Sequence, residues 1–381
     1  MTTHFKATRN LLKTLASMAV FVGVFVPSAL VSQAAVAPSQ GPDKQPKLGK
    51  DGKPKQPKEP REPITLYNSL TPLAVTLTTN IGRIRKDKGE NAPWREGTIS
   101  YTGEDGKPVV IPVKLHTRGI WRLKNCQFPP VRLNFTRETT KGTVFAGLNK
   151  PKLVSYCRDE DTFEQYVLQE YQLYRIYNML TTASHKARLV QMTYTDSANG
   201  KVEAKRAAII LEEPEELADR FGTKLVKDKG AGPDFMEPHH NALVGLFEYM
   251  IGNTDWSIFA LHNIELLQQP DGNVIPVPMD FDFAGVISTR YATPDPKLNI
   301  GRVRDRIFRG FCGPPEEIDK AITLFREKKD AIYALYADSI GKMIRKDQVE
   351  ETLKYYDDFY KTINDRRAVK REIIEPCITG H

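Results

Sequence analysis

Between residues 73 and 135 apolar and polar side chains alternate in four short runs, LAVTLTT, GTISYT, VVIPVKLHT and VRLNFT. A period of two in segments rich in Val, Ile and Thr predicts half-buried strands, and Gly103-Glu104-Asp105-Gly106 marks a turn between two of them. KLVSY, residues 152–156, reads as a further strand. The period then lengthens. TFEQYVLQEYQLYRIYNML, residues 162–180, has an acidic start and apolar side chains at helical spacing, which predicts a long amphipathic helix with Tyr166, Tyr171, Tyr174 and Tyr177 on its buried and half-buried face. Two strands follow, ARLVQMTYTD and KRAAIILEE, the second running into an acidic helical connector at 214–220. The remainder predicts helices over 240–251, 316–344 (with a break) and 347–374, interrupted by a hairpin over 262–282 that turns at Asp271-Gly272-Asn273. The pattern describes an α+β chain: a β-rich N-lobe over 64–220 containing one long helix, and a helical C-lobe over 221–381 containing a short hairpin.

The first 63 residues follow another pattern. Lys6, Arg9 and Lys13 precede an apolar stretch over 15–26, Pro27 ends it, and Ser32-Gln33-Ala34 or Ala35-Val36-Ala37 supplies small residues for cleavage. A positive start, a short apolar centre and a small-residue exit predict a secretory signal peptide over 1–37. The competing reading, an uncleaved anchor, needs about 20 apolar residues. Residues 38–63 are Lys/Pro-rich with no aromatic side chain, and they read as a disordered tether. The expected location is therefore periplasmic or secreted, with no stable membrane span after cleavage.

Charge changes the picture once it is divided along the chain. The formal net charge of +8 includes +3 from the signal segment and +3 from the linker, leaving about +2 on the remaining 318 residues. A near-neutral folded part lacks the electrostatic footprint of a nucleic-acid binder. All four cysteines, Cys126, Cys157, Cys312 and Cys377, lie in that part. An even number in an exported chain predicts two disulfides. Three pairings are possible, and Cys126–Cys157 with Cys312–Cys377 is the one that staples neighbouring segments.

The chemistry-bearing block is GNTDWSIFALHNIELL…VIPVPMDFDFAG, residues 252–285. Asp255 follows an apolar helix, Asn263 stands at the mouth of the hairpin, and Asp280 and Asp282 stand where its second strand ends. A hairpin brings its ends together, so Asn263 and Asp280 should lie side by side with Asp255 close above. Carboxylates two apart on a strand share a face, which makes Asp280 and Asp282 joint or alternative ligands. A carboxylate to orient a hydroxyl, with an Asn and an Asp to hold magnesium on phosphates, is what phosphoryl transfer uses. Each residue also has a plainer reading: Asp255 as an N-cap, Asn263 as a hairpin closure, Asp280 and Asp282 as a polar strand exit. The pair His239-His240 reads as part of a helix cap ahead of a metal site, and Glu212-Glu213 reads as mostly solvated charge.

The order of β-lobe, long helix, two strands, acidic connector and N-x-D … H-N … P-x-D-x-D resembles the spore-coat-protein-H (CotH) kinase-like family over most of residues 73–300. Asn253-Thr254-Asp255, His262-Asn263, Pro278-Met279-Asp280-Phe281-Asp282 and Thr117-Arg118-Gly119 carry the resemblance. The HipA-type toxin kinases share a similar, more distant order. The resemblance implies an atypical protein-kinase-like two-lobed fold, ATP as phosphate donor, magnesium, and transfer to Ser or Thr of a protein. Asp255 would then be the catalytic carboxylate, and Asn263, Asp280 and Asp282 the metal ligands. Arg118 would hold phosphate or form a structural ion pair. The chain departs from the family pattern where Phe128-Pro129-Pro130 stands in place of a Lys-Lys pair, and it has no Gly-rich phosphate loop. Lys152, paired with Glu170 on the long helix, or Arg132 would have to grip phosphate instead. The acceptor would be a protein of the cell envelope. The alternative is a non-catalytic envelope scaffold that keeps the site for binding.

Overall fold

The computed structural model describes residues 62–89 and 91–380. The signal segment, and the linker apart from Glu62 and Pro63, lie outside the described residues. In chain order the first part runs β1 (Leu73–Thr79), α1 (Ile81–Lys86), β2 (Arg95–Thr102), β3 (Pro108–Thr117), α2 (Trp121–Asn125), β4 (Val131–Asn134), α3 (Arg137–Thr140) and β5 (Lys152–Val154). The long helix α4 (Asp161–Leu180) follows, then β6 (Ala187–Asp196), β7 (Val202–Leu211) and α5 (Pro214–Arg220). The rest is β8 (Lys224–Leu225), α6 (Pro238–Ile251), β9 (Ile264–Gln268), β10 (Val274–Pro278), α7 (Pro315–Ala334), α8 (Lys346–Asn364) and α9 (Arg366–Val369). Among the described residues no helix is long and apolar enough to cross a membrane.

The strands do not form the sheet of a kinase-like N-lobe. They close into a barrel in the order β1-β2-β3-β4-β5-β7-β6, sealed by parallel pairing of β1 with β6 from Leu73↔Val190 to Thr79↔Asp196. The two-lobed kinase-like fold expected from the resemblance is thereby corrected. Closure leaves no strand edge unpaired, and alternate side chains of each strand fill the interior. Phe128, Tyr156 and Tyr194 are fully buried there, with the Phe128 and Tyr194 ring centres 4.8 Å apart. This gives Phe128-Pro129-Pro130 a structural reason, because its aromatic side chain plugs the barrel.

β7 explains how the barrel meets the helices. Ala204, Ala208 and Ile210 face the barrel interior, whereas Ala207, Ile209 and Leu211 belong to the helical core. A strand with both faces covered needs a continuous apolar run, which AAIIL supplies. Helix α4 lies on this outer face and also packs on α7. Fourteen of its twenty residues are buried, so it is a core helix and not the amphipathic one expected.

The predicted hairpin is present as β9 and β10, but β8 adds a third strand beside β9. Cys126–Cys157 and Cys312–Cys377 are the disulfides. His239 and His240 serve the start of α6, where the Glu237 carboxylate accepts from both backbone amides, as the capping reading expects. Glu212 and Glu213 are buried, against expectation: Glu212 pairs with Arg220 at 2.9 Å, and Glu213 forms a capping box with Glu216 on α5.

Helix α6 ends at Gly252, whose φ of 65° is left-handed and free of strain only for glycine. A Cβ there would also sit 1.9 Å from the Tyr355 hydroxyl. Gly252→Ala is therefore expected to lower unfolding free energy by at least about 1 kcal/mol. Chemical denaturation should detect it, and an unchanged midpoint would show that the α6 end is not fixed this way.

Candidate functional site

The site is assembled where the outer face of β4 and β5 meets the α6–β9 connection and the chain after β10. Lys152 and Arg132 are cross-strand partners on β5 and β4. Their neighbours Leu153, Val131 and Leu133 point into the barrel, so strand alternation turns both cations outward. Arg118 follows β3, anchored by a backbone hydrogen bond to the Pro130 carbonyl.

The hairpin performs as its sequence predicts. Pro278 pairs with Ile264, and the Met279 amide donates to the Asn263 carbonyl, so Asn263 and Asp280 flank the same hairpin end. Asp255 lies against Asn263: the Asn263 Nδ2 group donates to the Asp255 carbonyl at 2.7 Å and to its Oδ2 at 3.1 Å. His262 Nε2 meets the other carboxylate oxygen at 2.9 Å. The N-cap reading of Asp255 falls, because an isolated bridge between Ser257 and His262 follows it and no helix begins there.

Three residues of this region, Leu261, Asn263 and Asp280, hold φ values of 48°, 52° and 64°. Left-handed backbone is uncommon outside glycine, and most costly for a residue such as Leu. Such outliers concentrate where the surroundings force them to serve a site.

At Asp280 this geometry changes the ligand arrangement expected from a strand. β10 ends at Pro278, so the alternation that would put Asp280 and Asp282 on one face no longer applies. Asp280 turns a part-exposed carboxylate toward Arg118, with Nη2 to Oδ2 at 3.8 Å, while its amide donates to the Tyr174 hydroxyl on α4. Asp282 is buried instead. The Tyr291 hydroxyl donates to it at 3.0 Å, and Arg122 stands 3.9 Å away. Its role as a metal ligand is not supported by this placement.

Lys152 and Glu170 are not an ion pair. Lys152 Nζ pairs with Glu265 at 3.6 Å and touches the Met279 sulfur at 3.0 Å. Burial, with Arg118 nearby, pulls the Lys152 ammonium down to about 8. Glu170 is buried with Oε1 unpartnered. Burial, then the charges of Asp282 and Asp280, raises its carboxyl well above the usual range. Asp282 is raised by burial and by Asp280. Neighbouring carboxyls in a dry site resist ionising together, and burial pushes both Glu170 and Asp282 upward.

Arg122, Glu265 and Tyr291 are site residues that sequence reasoning missed. Arg122 lies on α2, whose five residues are too few to show a helical period in the sequence. Glu265 was legible only as a polar position in the apolar run of β9. Nothing in the local sequence marks Tyr291. Tyr174 was read simply as helix face, yet its hydroxyl holds the Asp280 backbone.

Among the described residues no group of three or more His, Cys, Asp or Glu side chains is arranged to hold a metal ion. Magnesium uses one or two carboxylates and completes its shell with water or phosphate oxygens. The part-exposed Asp280 carboxylate suits that need. So does the Asn263 side-chain oxygen, since the Asn263 nitrogen is the atom committed to Asp255. Asn263 and Asp280 fit the ion; Asp282 does not.

Two outcomes are expected. His262 is raised by its hydrogen bond to Asp255, so an NMR titration should place it above the ordinary histidine value of about 6.5. Asp255→Asn should bring it back, and an unchanged value would break the assigned contact. Glu170 has a folded pKa above its unfolded one. Its contribution to stability is therefore complete below the ordinary glutamate value of about 4.5 and is lost as pH rises through the folded value. Denaturation across that range should show a smaller decline for Glu170→Gln than for the parent protein, and identical slopes would mean that Glu170 ionises freely. No protein-family model matches this chain, and no curated protein matches it.

Proposed function

We propose that this chain is an exported phosphotransferase of the periplasm or extracellular space that uses ATP and magnesium to modify Ser or Thr of an envelope or secreted protein. The observation that carries the proposal is the position of Asp280. Its carboxylate stands between a cationic wall, Arg118 with Lys152 and Arg132 on the barrel, and the Asp255–Asn263 pair.

The residues divide the work by their chemistry. Arg118 and Arg132 present planar guanidinium donors suited to phosphate. Lys152 adds a point charge that is mainly protonated near neutrality, because its pKa of about 8 lies above that pH. Asp280 and the Asn263 oxygen would hold magnesium, which supplies neutralisation of phosphate charge. Asp255 is part-exposed and fixed by Asn263 and His262, so it can accept a proton from, or orient, an attacking hydroxyl. Glu170 is buried behind Asp280, where burial and the neighbouring carboxylates oppose its ionisation. The two disulfides agree with an exported chain.

A second reading, a non-catalytic binding scaffold of the envelope, draws on one specific observation. Lys152 is already satisfied by Glu265, and Asp255 by Asn263 and His262, so the site is closed on itself without a ligand.

Calorimetry of magnesium-dependent ATP binding separates the two. The parent protein should bind, and Asp280→Ala should weaken binding by about tenfold or more, the scale of losing a charged partner. Affinity should also fall as pH rises through about 8, when Lys152 loses its proton, and Lys152→Arg should remove that fall. Absence of binding, or equal binding by Asp280→Ala, would overturn phosphoryl transfer; binding without any phosphorylated protein product would favour the scaffold.

A further inference from the structure

A cavity of about 820 Å³ lies between α4, the chain after Asp282 and the start of α8. Six of its seventeen lining residues are basic and three are acidic. This differs from the folded part as a whole, which is close to neutral. The size is that of a cleft that takes a multi-group ligand.

The cations fall into two kinds. Arg306 is fixed: it donates to the carbonyls of Tyr249, Met250 and Tyr355 and lies 3.5 Å from the Tyr355 ring centre. None of its hydrogen bonds among the described residues goes to a carboxylate, so a half-buried positive charge stands at the wall of the cavity. Three others are held in exposed or longer pairs. Arg302 pairs with Asp305 while 81% exposed, Arg345 pairs with Asp347 while 46% exposed, and Arg304 reaches Glu351 only at 3.9 Å. Exposed pairs of this kind contribute little, so incoming carboxylates can replace their present partners at small cost.

The cavity wall is tied to the candidate site. Its Val286 amide donates to the Ile251 carbonyl and the neighbouring Gly285 amide to that of Gly252, just ahead of Asp255. Thr289 donates to the Asp282 carbonyl, Tyr291 to the Asp282 carboxylate, and the Arg290 amide to the Tyr166 hydroxyl. One short segment thus forms the back of the phosphate site and the wall of the arginine cavity.

We propose that the cavity holds an acidic segment of the acceptor protein, whose Glu or Asp side chains engage Arg302, Arg304, Arg345 and Lys354 and so present a nearby Ser or Thr to Asp255. This rests on the reading of the neighbouring site as a phosphotransferase. The three acidic residues among the lining break up the positive field, which suits spaced carboxylates on a peptide better than a continuous polyphosphate chain.

The test is fluorescence anisotropy with a labelled peptide of glutamates around a single serine, against the same peptide with glutamines. The glutamate peptide should bind, with affinity falling as salt rises. The glutamine peptide should bind at least about tenfold more weakly, and the double variant Arg302→Glu/Lys354→Glu should lose a similar factor. Equal binding of the two peptides, no loss in the double variant, or displacement by inorganic phosphate at concentrations matching the peptide would overturn the proposal. ATP binding measured on the same preparations should be unchanged in the double variant, which also establishes that it is folded. Peptide binding without ATP binding would remove the phosphotransferase reading and leave acidic docking standing; ATP binding without peptide binding would do the reverse.

Discussion

Helix α4 is buried between the barrel wall and the helical part of the chain. Its faces meet the outer side of β6 and β7 and the helices α6 and α7. Burying a large apolar side chain is worth roughly 1.5–3 kcal/mol, and the α4 tyrosines, leucines and valine contribute many times over. That packing also fixes polar groups that the site depends on. Tyr174 reaches the Asp280 amide, Tyr166 reaches the Arg290 amide, and Glu170 sits among the site carboxyls. A shift of α4 would disturb the barrel wall and the site together.

The electrostatics follow from the same burial. With water excluded, each carboxyl near Asp280 feels its neighbours strongly, and the cluster resolves into distinct roles. Asp280 keeps access to solvent beside Arg118; Asp282 is held by Tyr291; Glu170 is pushed well above the usual carboxyl range by burial. Asp255 belongs to a separate, wetter arrangement with Asn263 and His262. Carboxyl groups placed in a dry and in a wetter environment differ in how readily they ionise.

Closure of the barrel is the feature that local patterning did not convey. Strands β1 to β4 were legible from alternation in runs rich in Val, Ile and Thr, and β5 to β7 as further strand-like runs. Pairing β1 with β6 in parallel joins segments more than a hundred residues apart, and no local pattern encodes such a partner. The same holds for β8: two residues are too few to show a period, and the strand exists because the β9 edge accepts it. Burial of α4 on several sides was equally hidden, since Gln165, Gln169 and Gln172 are polar side chains. They are buried, and Gln165 and Gln172 donate to main-chain carbonyls near α7 and α8.

By itself the sequence determined most of the strands and helices and the hairpin that brings Asn263 and Asp280 together, because each depends on spacing along a short stretch of chain; it allowed three cysteine pairings, of which the fold realises Cys126–Cys157 and Cys312–Cys377. The tertiary structure decided the rest. It closed the sheet, gave Lys152 to Glu265 in place of Glu170, separated Asp280 from Asp282 through one left-handed residue, and brought Arg122 and Tyr291 to the carboxyls. Those outcomes depend on which buried charge finds which partner across distant segments, and burial is a property of the packed chain as a whole.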